Sequence, residues 1–401
     1  MINNKDDISV LICDDSALMR NLISRIVDET EGLKVVGKAE NGQALLDMLK
    51  TTKPDVILLD IEMPVMNGIE FLKKRQQLHI DVPVVILSSV ATEGASVTIQ
   101  CLELGASDFI TKPGGSVTLK IADVTKDIIE YVASYGGAYA LLKGKNVPVS
   151  EFFSNQIKLK EAERFVLKKK GEEAAKLGSI TKADALPASL WAAPKKKENV
   201  SITPLRDSGK IEIIAIGIST GGPNALREVF RNIDANIKQP ILVVQHMPAG
   251  FTAEFASSLN NICPLPVSEA KDGEPLLGGH VYIAQGAHHM FVEKKAFGYF
   301  IKLSQDEPRN GHRPSVDVLF ESVAKLYQNR ALGVIMTGMG KDGATELAEM
   351  RKQGAWTLGQ DKETSIVYGM PKVAFELGGV QKQVPLKDMA KEISRLAKEN
   401  Q

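Results

Sequence analysis

The chain has 401 residues, which at roughly 100–200 residues per domain predicts two or three domains. It carries 49 Lys and Arg against 49 Asp and Glu, and a formal net charge of zero argues against a dedicated DNA-binding protein. The three cysteines are scattered, which favours a reduced protein without disulfides. The sequence shows no signal-peptide pattern, and no apolar run approaches the ~20 residues of a membrane span. We therefore expect a cytoplasmic protein without membrane insertion.

Residues 1–132 alternate apolar strand patterns with amphipathic helical patterns, which is typical of a doubly wound α/β domain with a parallel sheet. This alternation fits a small flavodoxin-like domain. We expect its strands at residues 9–13, 33–39, 56–59, 84–87 and 108–110. Helical patterns fall between the strands, among others at residues 17–27, 43–50 and 69–77.

Residues 133–208 differ in composition, and we expect them to form a basic, partly helical linker. Between residues 141 and 210, 15 Lys and Arg stand against 8 Asp and Glu. The pattern of residues 151–177 predicts an amphipathic helix, whereas the following Ala, Pro, Ser and Lys are typical of a linker. Solvated charge explains the basic residues most simply, and docking to an acidic partner is the alternative.

Strand and helix patterns return in residues 209–401 and predict a second doubly wound parallel sheet, Rossmann-like in style. The strand patterns lie at residues 211–217, 241–245, 280–284 and 331–336. Glycine-rich turns follow several of them. The two α/β domains share no motif, so we find no internal repeat.

Polar side chains follow the strands of the first domain, at the point where each strand ends. Asp14 and Asp15 follow the first strand, Asp60 the third, Ser88 the fourth and Lys112 the fifth. Because the carboxyl ends of parallel strands meet at one edge of a sheet, we expect these side chains to converge. Three carboxylates in one pocket repel each other unless a hard cation such as Mg²⁺ neutralises them. The pattern therefore predicts a site for Mg²⁺ and a phosphoryl group.

With these residues, positions 8–130 resemble a two-component receiver domain. The motifs are CDDS (13–16), LDIEMPVMNG (59–68) and TKP (111–113). The resemblance implies that a histidine kinase phosphorylates Asp60, that Ser88 and Lys112 contact the phosphoryl group, and that Phe109 is the switch aromatic. It also implies a Mg²⁺ site, held by Asp14, Asp15, Asp60 and the main chain at Glu62.

Ser219 lies between an apolar strand and a helical pattern, in the turn GISTGGP (217–223). Glycines around a serine let the backbone turn sharply and expose the hydroxyl, and the following helix N-terminus offers N–H groups to an oxyanion. Such turns more often bind nucleotide phosphates. The spacing here does not fit Gly-x-Gly-x-x-Gly, however, and no Walker lysine follows, so a nucleotide site is disfavoured.

Two further strand ends in the second domain carry candidate partners for Ser219. His246 follows the strand at 241–245, and Asp342 follows the strand at 331–336. The sequence therefore predicts a nucleophile, a base and an orienting carboxylate at one sheet edge. The chain order Ser, His, Asp differs from that of α/β-hydrolases, so we do not assign that fold. His312, before a helix, either lines the cleft or anchors a loop.

With these residues, positions 210–390 resemble the chemotaxis protein-glutamate methylesterases of the CheB family. The motifs are AIGISTGGP (215–223), QHMP (245–248), GHRPSVD (311–317) and TGMGKDG (337–343). The resemblance implies a catalytic triad of Ser219, His246 and Asp342, an oxyanion role for the Met339 amide, and no cofactor for the ester chemistry. Gln285 replaces the usual Pro of one turn, and the middle segment is long for the family.

The resemblance implies a phosphorylation-activated hydrolase that demethylates γ-glutamyl methyl esters of chemoreceptors, releasing methanol, and deamidates receptor glutamines. Its partners would be a chemotaxis histidine kinase and methyl-accepting chemoreceptors, and its unphosphorylated receiver would block the esterase cleft. The alternatives are a response regulator whose second domain only binds a partner, and a DNA-binding output. About 190 residues of α/β pattern and the zero net charge argue against nucleic acid.

Overall fold

The structure is a computed structural model and describes residues 6–88, 92–112, 121–147 and 201–401. The helix expected at 151–177 and most of the basic segment lie outside the described residues. In the part of the chain that the structure describes, no helix is both long and apolar enough to cross a membrane.

The first unit is a five-stranded parallel sheet in the order β2-β1-β3-β4-β5, flanked by helices, as the strand and helix alternation predicts. Strands β3 and β4 are buried along their whole length, which explains their unbroken apolar sequence. The strands are β1 (Ile8–Cys13), β2 (Leu33–Ala39), β3 (Val56–Asp60), β4 (Val84–Ser88) and β5 (Asp108–Thr111). The helices are α1 (Ala17–Asp28), α2 (Gly42–Leu49), α3 (Gly68–Gln77), α4 (Thr92–Glu103) and α5 (Ile121–Tyr131).

The helical stretch of α5 does not end at the boundary expected after residue 132. It continues through a π-helical turn (Val132–Gly136) into α6 (Gly137–Leu142). Val132, Tyr135 and Ala140 are buried in the core of the first sheet. Residues 133–147 therefore pack with the first unit, because their apolar side chains complete its core, and do not join the linker.

The second unit is a seven-stranded, all-parallel sheet in the order β14-β13-β12-β6-β7-β9-β8. This confirms the second doubly wound sheet. The strands are β6 (Ile213–Ile218), β7 (Ile241–Gln245), β8 (Val267–Glu269), β9 (Val281–Ile283), β10 (His289–Lys295), β11 (Gly298–Ser304), β12 (Ala331–Ile335), β13 (Trp356–Gln360) and β14 (Lys382–Val384). Strands β10 and β11 form a separate antiparallel hairpin that the sequence analysis did not anticipate.

The helices of the second unit cover both faces of its sheet. They are α7 (Gly222–Asn232), α8 (Phe251–Asn260), α9 (Val316–Tyr327), α10 (Ala344–Lys352), α11 (Met370–Glu376) and α12 (Leu386–Glu399). Helix α7 follows β6 directly, with a proline in its first turn, where a missing N–H costs no hydrogen bond.

The two units pack against each other through α4, β5 and α5 of the first. The rings of Phe109 and Phe251 stack with their centroids 4.7 Å apart. Glu103 accepts a hydrogen bond from Ser258 Oγ at 2.6 Å and lies 3.5 Å from the Arg227 guanidinium. These contacts bring the first unit onto the carboxyl edge of the second sheet, where Ser219 lies.

Candidate active site and phosphorylation site

Ser219 lies directly after β6, and two glycines shape the turn behind it. Gly221 adopts a left-handed φ of 81°, which glycine reaches without steric cost. A side chain at Gly222 would place its Cβ 1.8 Å from Gln245 Oε1. A larger residue at Gly222 would therefore displace the Gln245 side chain. The turn leaves the Ser219 side chain partly exposed at the sheet edge.

Ser219, His246 and Asp342 form one chain of contacts, each at the end of a neighbouring strand. His246 Nδ1 lies 3.0 Å from Ser219 Oγ, and His246 Nε2 lies 2.9 Å from Asp342 Oδ2. A carboxylate can only accept a hydrogen bond, so the proton of the neutral imidazole lies on Nε2. The lone pair of Nδ1 then faces the serine hydroxyl.

Asp342 is buried, and several donors converge on its carboxylate. Asn310 Nδ2 and Ser315 Oγ donate to Oδ1 at 2.8 and 2.7 Å, and the Val316 amide donates to Oδ2 at 2.6 Å. Burial acts to raise the pKa of Asp342, but the hydrogen bond and charge of His246, with those of Asn310 and Ser315, lower it well below its ordinary value. Asp342 therefore stays ionised and holds the imidazole in one orientation.

No prediction from the sequence pairs Asn310 and Ser315 with Asp342. They precede Asp342 by about 30 residues, and only the packing of α9 beside the β12 end brings them together. The GHRPSVD run signals their region, but a single sequence carries no signal that pairs them with the aspartate.

His312 lies against the candidate base. Its ring stacks on that of His246, with centroids 3.9 Å apart and planes 10° from parallel. Of the two roles left open for His312, the structure therefore supports the one that lines the cleft. Met339 follows Gly338, where an added Cβ would lie 2.8 Å from Ser219 Cβ, so the Met339 main chain is close to the serine.

Both units line the cleft in front of Ser219, which has a volume of about 310 Å³. Ser219, His246 and His312 belong to the second unit, whereas Asp108 and Glu130 come from the first. The resemblance implies that the first unit covers this cleft, but it does not indicate Asp108 or Glu130, because that contact depends on how two separately folded sheets pack.

Asp108 is a buried carboxylate at this contact. It accepts hydrogen bonds from the Gly221 amide at 3.1 Å and the Tyr135 hydroxyl at 2.8 Å. Burial nevertheless raises the pKa of Asp108 to about 6. The folded protein therefore binds this proton more tightly than the unfolded chain, and the stabilising contribution, full in acid, is lost as the pH rises from about 4 to about 6.

We expect Asp108→Asn to stabilise the protein, relative to wild type, more at pH 7.5 than at pH 4.5. The difference should be about 2 kcal/mol, because only the wild type must bury a charge at the higher pH. Thermal unfolding midpoints at both pH values measure it, with Asp47→Asn on exposed α2 as the control. A stability difference that does not change with pH would contradict the assignment.

The polar edge of the first sheet brings together the residues expected there. Lys112 Nζ lies 2.9 Å from Asp14 Oδ2 and 2.7 Å from Asp60 Oδ1. Ser88 Oγ lies 2.6 Å from Thr98 Oγ1. Asp60 also accepts a hydrogen bond from the next amide, and burial raises its pKa in spite of the Lys112 ion pair.

The same edge offers the oxygen ligands that a hard cation prefers. One carboxylate oxygen from each of Asp14, Asp15 and Asp60 lies within 4.8 Å of the others. A cavity of about 220 Å³ lies beside them, lined among others by Asp15, Asp60, Glu62 and Lys112. Carboxylate and main-chain oxygens are the ligands that Mg²⁺ prefers, so these residues fit a magnesium ion together with a phosphoryl group.

Phe109, the expected switch aromatic, connects the two sites. It lies on β5, next to the strand that ends at Ser88, and only 6% of its surface is exposed. Its ring partner, Phe251, begins α8 of the second unit. A movement of Phe109 would therefore change the contact between the units.

Comparison with known proteins identifies a family for each of the two units. Residues 10–122 match the response regulator receiver domain, and residues 214–393 match the CheB methylesterase family. A receiver followed by an α/β domain of this kind defines a response regulator with an enzyme-type output domain. The "protein-glutamate methylesterase/protein-glutamine glutaminase" proteins of Treponema pallidum and Treponema denticola are 50% and 51% identical to this chain. The alignments cover 99% and 98% of this chain, and 99% of each relative.

The chain belongs to the CheB methylesterase family. Among solved structures, the CheB methylesterase catalytic domain of Thermotoga maritima is 39% identical over 47% of this chain and 99% of that domain, with a TM-score of 0.45.

Proposed function

We propose that this protein is a phosphorylation-activated protein-glutamate methylesterase and protein-glutamine glutaminase. Its substrates would be γ-glutamyl methyl esters and glutamines on the cytoplasmic helices of chemoreceptors, and it would act in the cytoplasm during chemotactic adaptation. The observation that carries this proposal is the contact chain from Ser219 Oγ to His246 and on to Asp342, at 3.0 and 2.9 Å. Relatives that align over nearly their full length are named for both activities, which supports the substrate class.

Acyl transfer would begin with the hydroxyl of Ser219. His246 Nδ1 takes its proton while Oγ attacks the γ-carbonyl carbon, and the ionised Asp342 stabilises the imidazolium that forms. The Met339 amide donates a hydrogen bond to the resulting oxyanion. His246 then protonates the departing methanol, or ammonia from a glutamine, and a glutamyl ester of Ser219 remains. Water, deprotonated by His246, cleaves this ester and releases the glutamate side chain.

The first unit would carry the phosphorylation. A histidine kinase transfers its phosphoryl group to Asp60, with Lys112 and Ser88 contacting the phosphoryl oxygens. Bound Mg²⁺ supplies charge neutralisation for this transfer. The ligands would be Asp14, Asp15, Asp60 and the main chain of Glu62.

Phosphorylation would act on the contact between the units. The first unit lines the cleft in front of Ser219, so substrate and the docked first unit compete for the same space. A phosphoryl group adds close to two negative charges beside Ser88 and Lys112. Drawing Ser88 and Phe109 toward that group would disturb the stack on Phe251 and favour the open form.

The test is methanol release from methylated chemoreceptor by the full-length protein. We expect slow release alone and faster release with a small-molecule phosphodonor and Mg²⁺. Release of ammonia from receptor glutamines tests the second activity. If no methanol appears under either condition, the second unit is a binding module and the proposal is wrong.

A further inference from the structure

Glu130, near the end of α5, is held at the cleft in front of Ser219. Glu130 Oε1 accepts a hydrogen bond from Thr220 Oγ1 at 3.1 Å. Thr220 is the residue directly after Ser219 and is buried. Glu130, Ser219 and His246 line one cleft. A carboxylate of the first unit is therefore held next to the proposed nucleophile.

The chemistry of this carboxylate matches the product of the proposed reaction. Ester hydrolysis and deamidation both leave a glutamate side chain on a helix of the receptor. Glu130 is a glutamate on an α-helix, it lines the cleft in front of Ser219, and its carboxylate contacts the residue that follows Ser219. It has the same functional group, the same side-chain length and the same secondary structure as the product.

We infer that Glu130 is an internal product mimic: it occupies the glutamyl-binding position of the cleft, with Thr220 Oγ1 as hydrogen-bond donor to a glutamyl oxygen. This inference rests on the proposed function and goes beyond steric blocking. The docked first unit competes with substrate through one specific side chain. Because both units belong to one chain, an effective concentration of roughly a millimolar keeps even a weak mimic bound.

The contact that Glu103 makes between the units does not share this property. Glu103 is also a glutamate of the first unit that binds the second, through Ser258 and Arg227, but neither it nor these two partners line the cleft. Glu103 is therefore a matched control. Each residue contributes a carboxylate to the contact, and only Glu130 contributes one beside Ser219.

The experiment measures how fast a fluorophosphonate labels Ser219 in the unphosphorylated full-length protein. We expect Glu130→Ala to speed labelling about tenfold, the size of effect that a hydrogen bond to a charged group supports. Glu130→Gln should speed labelling less than Glu130→Ala does, because its amide oxygen still accepts the Thr220 hydrogen bond and a glutamine side chain is the other substrate group proposed for this cleft. Glu103→Ala should speed labelling much less than Glu130→Ala does. With methylated receptor, Glu130→Ala should lower the apparent KM and leave kcat unchanged.

Three outcomes overturn the inference while leaving Ser219 as the nucleophile. Labelling of Glu130→Ala that matches wild type would show that Glu130 does not occupy the position. An equal increase in Glu130→Ala and Glu103→Ala would show that Glu130 only holds the units together. An increase in Glu130→Gln equal to that in Glu130→Ala would exclude glutamyl recognition. Failure of Ser219 to react in every variant, phosphodonor included, would instead contradict the proposed nucleophile, and the inference with it.

Discussion

Replacing Ser219 by alanine should abolish methanol release while the protein remains folded. The substitution removes one partly exposed hydroxyl that contacts His246, and the Cβ that packs beside Gly338 is kept. Nucleophile and base act as a unit, so a loss of about 10⁴–10⁶ in rate is expected. The measurement is methanol release from methylated receptor in the presence of a phosphodonor, with the unfolding temperature measured in parallel.

Ser394→Ala is the matched control for this experiment. Ser394 is a buried serine on α12. Its hydroxyl donates to the Ala390 carbonyl and accepts a hydrogen bond from the Asp234 amide. This variant should keep wild-type activity. Retention of a tenth of the wild-type rate by Ser219→Ala would mean that another group attacks the ester.

Replacing Asp60 by asparagine should eliminate phosphotransfer from a phosphorylated kinase and the stimulation that depends on it. The amide keeps the side-chain size and an oxygen for the following backbone N–H, but it loses the nucleophilic carboxylate. Burial already raises the pKa of Asp60, so removing this charge should not lower the unfolding temperature. Radiolabel transfer and phosphodonor-dependent methanol release measure the two effects.

Basal methanol release should survive in Asp60→Asn, because the substitution lies outside the cleft in front of Ser219. Asp47→Asn, on the exposed part of α2, should accept label as wild type does. Persistent label on the Asp60 variant would identify another acceptor. If the variant loses both basal methanol release and label transfer, the substitution has damaged the whole protein.

The elements that can be predicted from the sequence are those whose pattern is visible within a short stretch of residues. Fully buried parallel strands need unbroken apolar runs, so β3 and β4 are visible directly. Parallel strands share a carboxyl edge, so residues after separate strands, such as Ser219 and His246, can be expected to meet. The hairpin of β10 and β11 was missed, since half-exposed strands carry only a weak alternating pattern.

From the amino-acid sequence alone one can predict two parallel sheets, the edge of each on which polar residues gather, and the motifs that identify the family. The surroundings of those residues depend on how the elements pack. Asn310 and Ser315 reach Asp342 only through the packing of α9, and Asp108 and Glu130 reach the Ser219 turn only because two units dock. The apolar run of a buried strand can be recognised within a few consecutive residues, whereas these contacts join residues 27 to 113 positions apart, and their partners are selected by packing rather than by spacing.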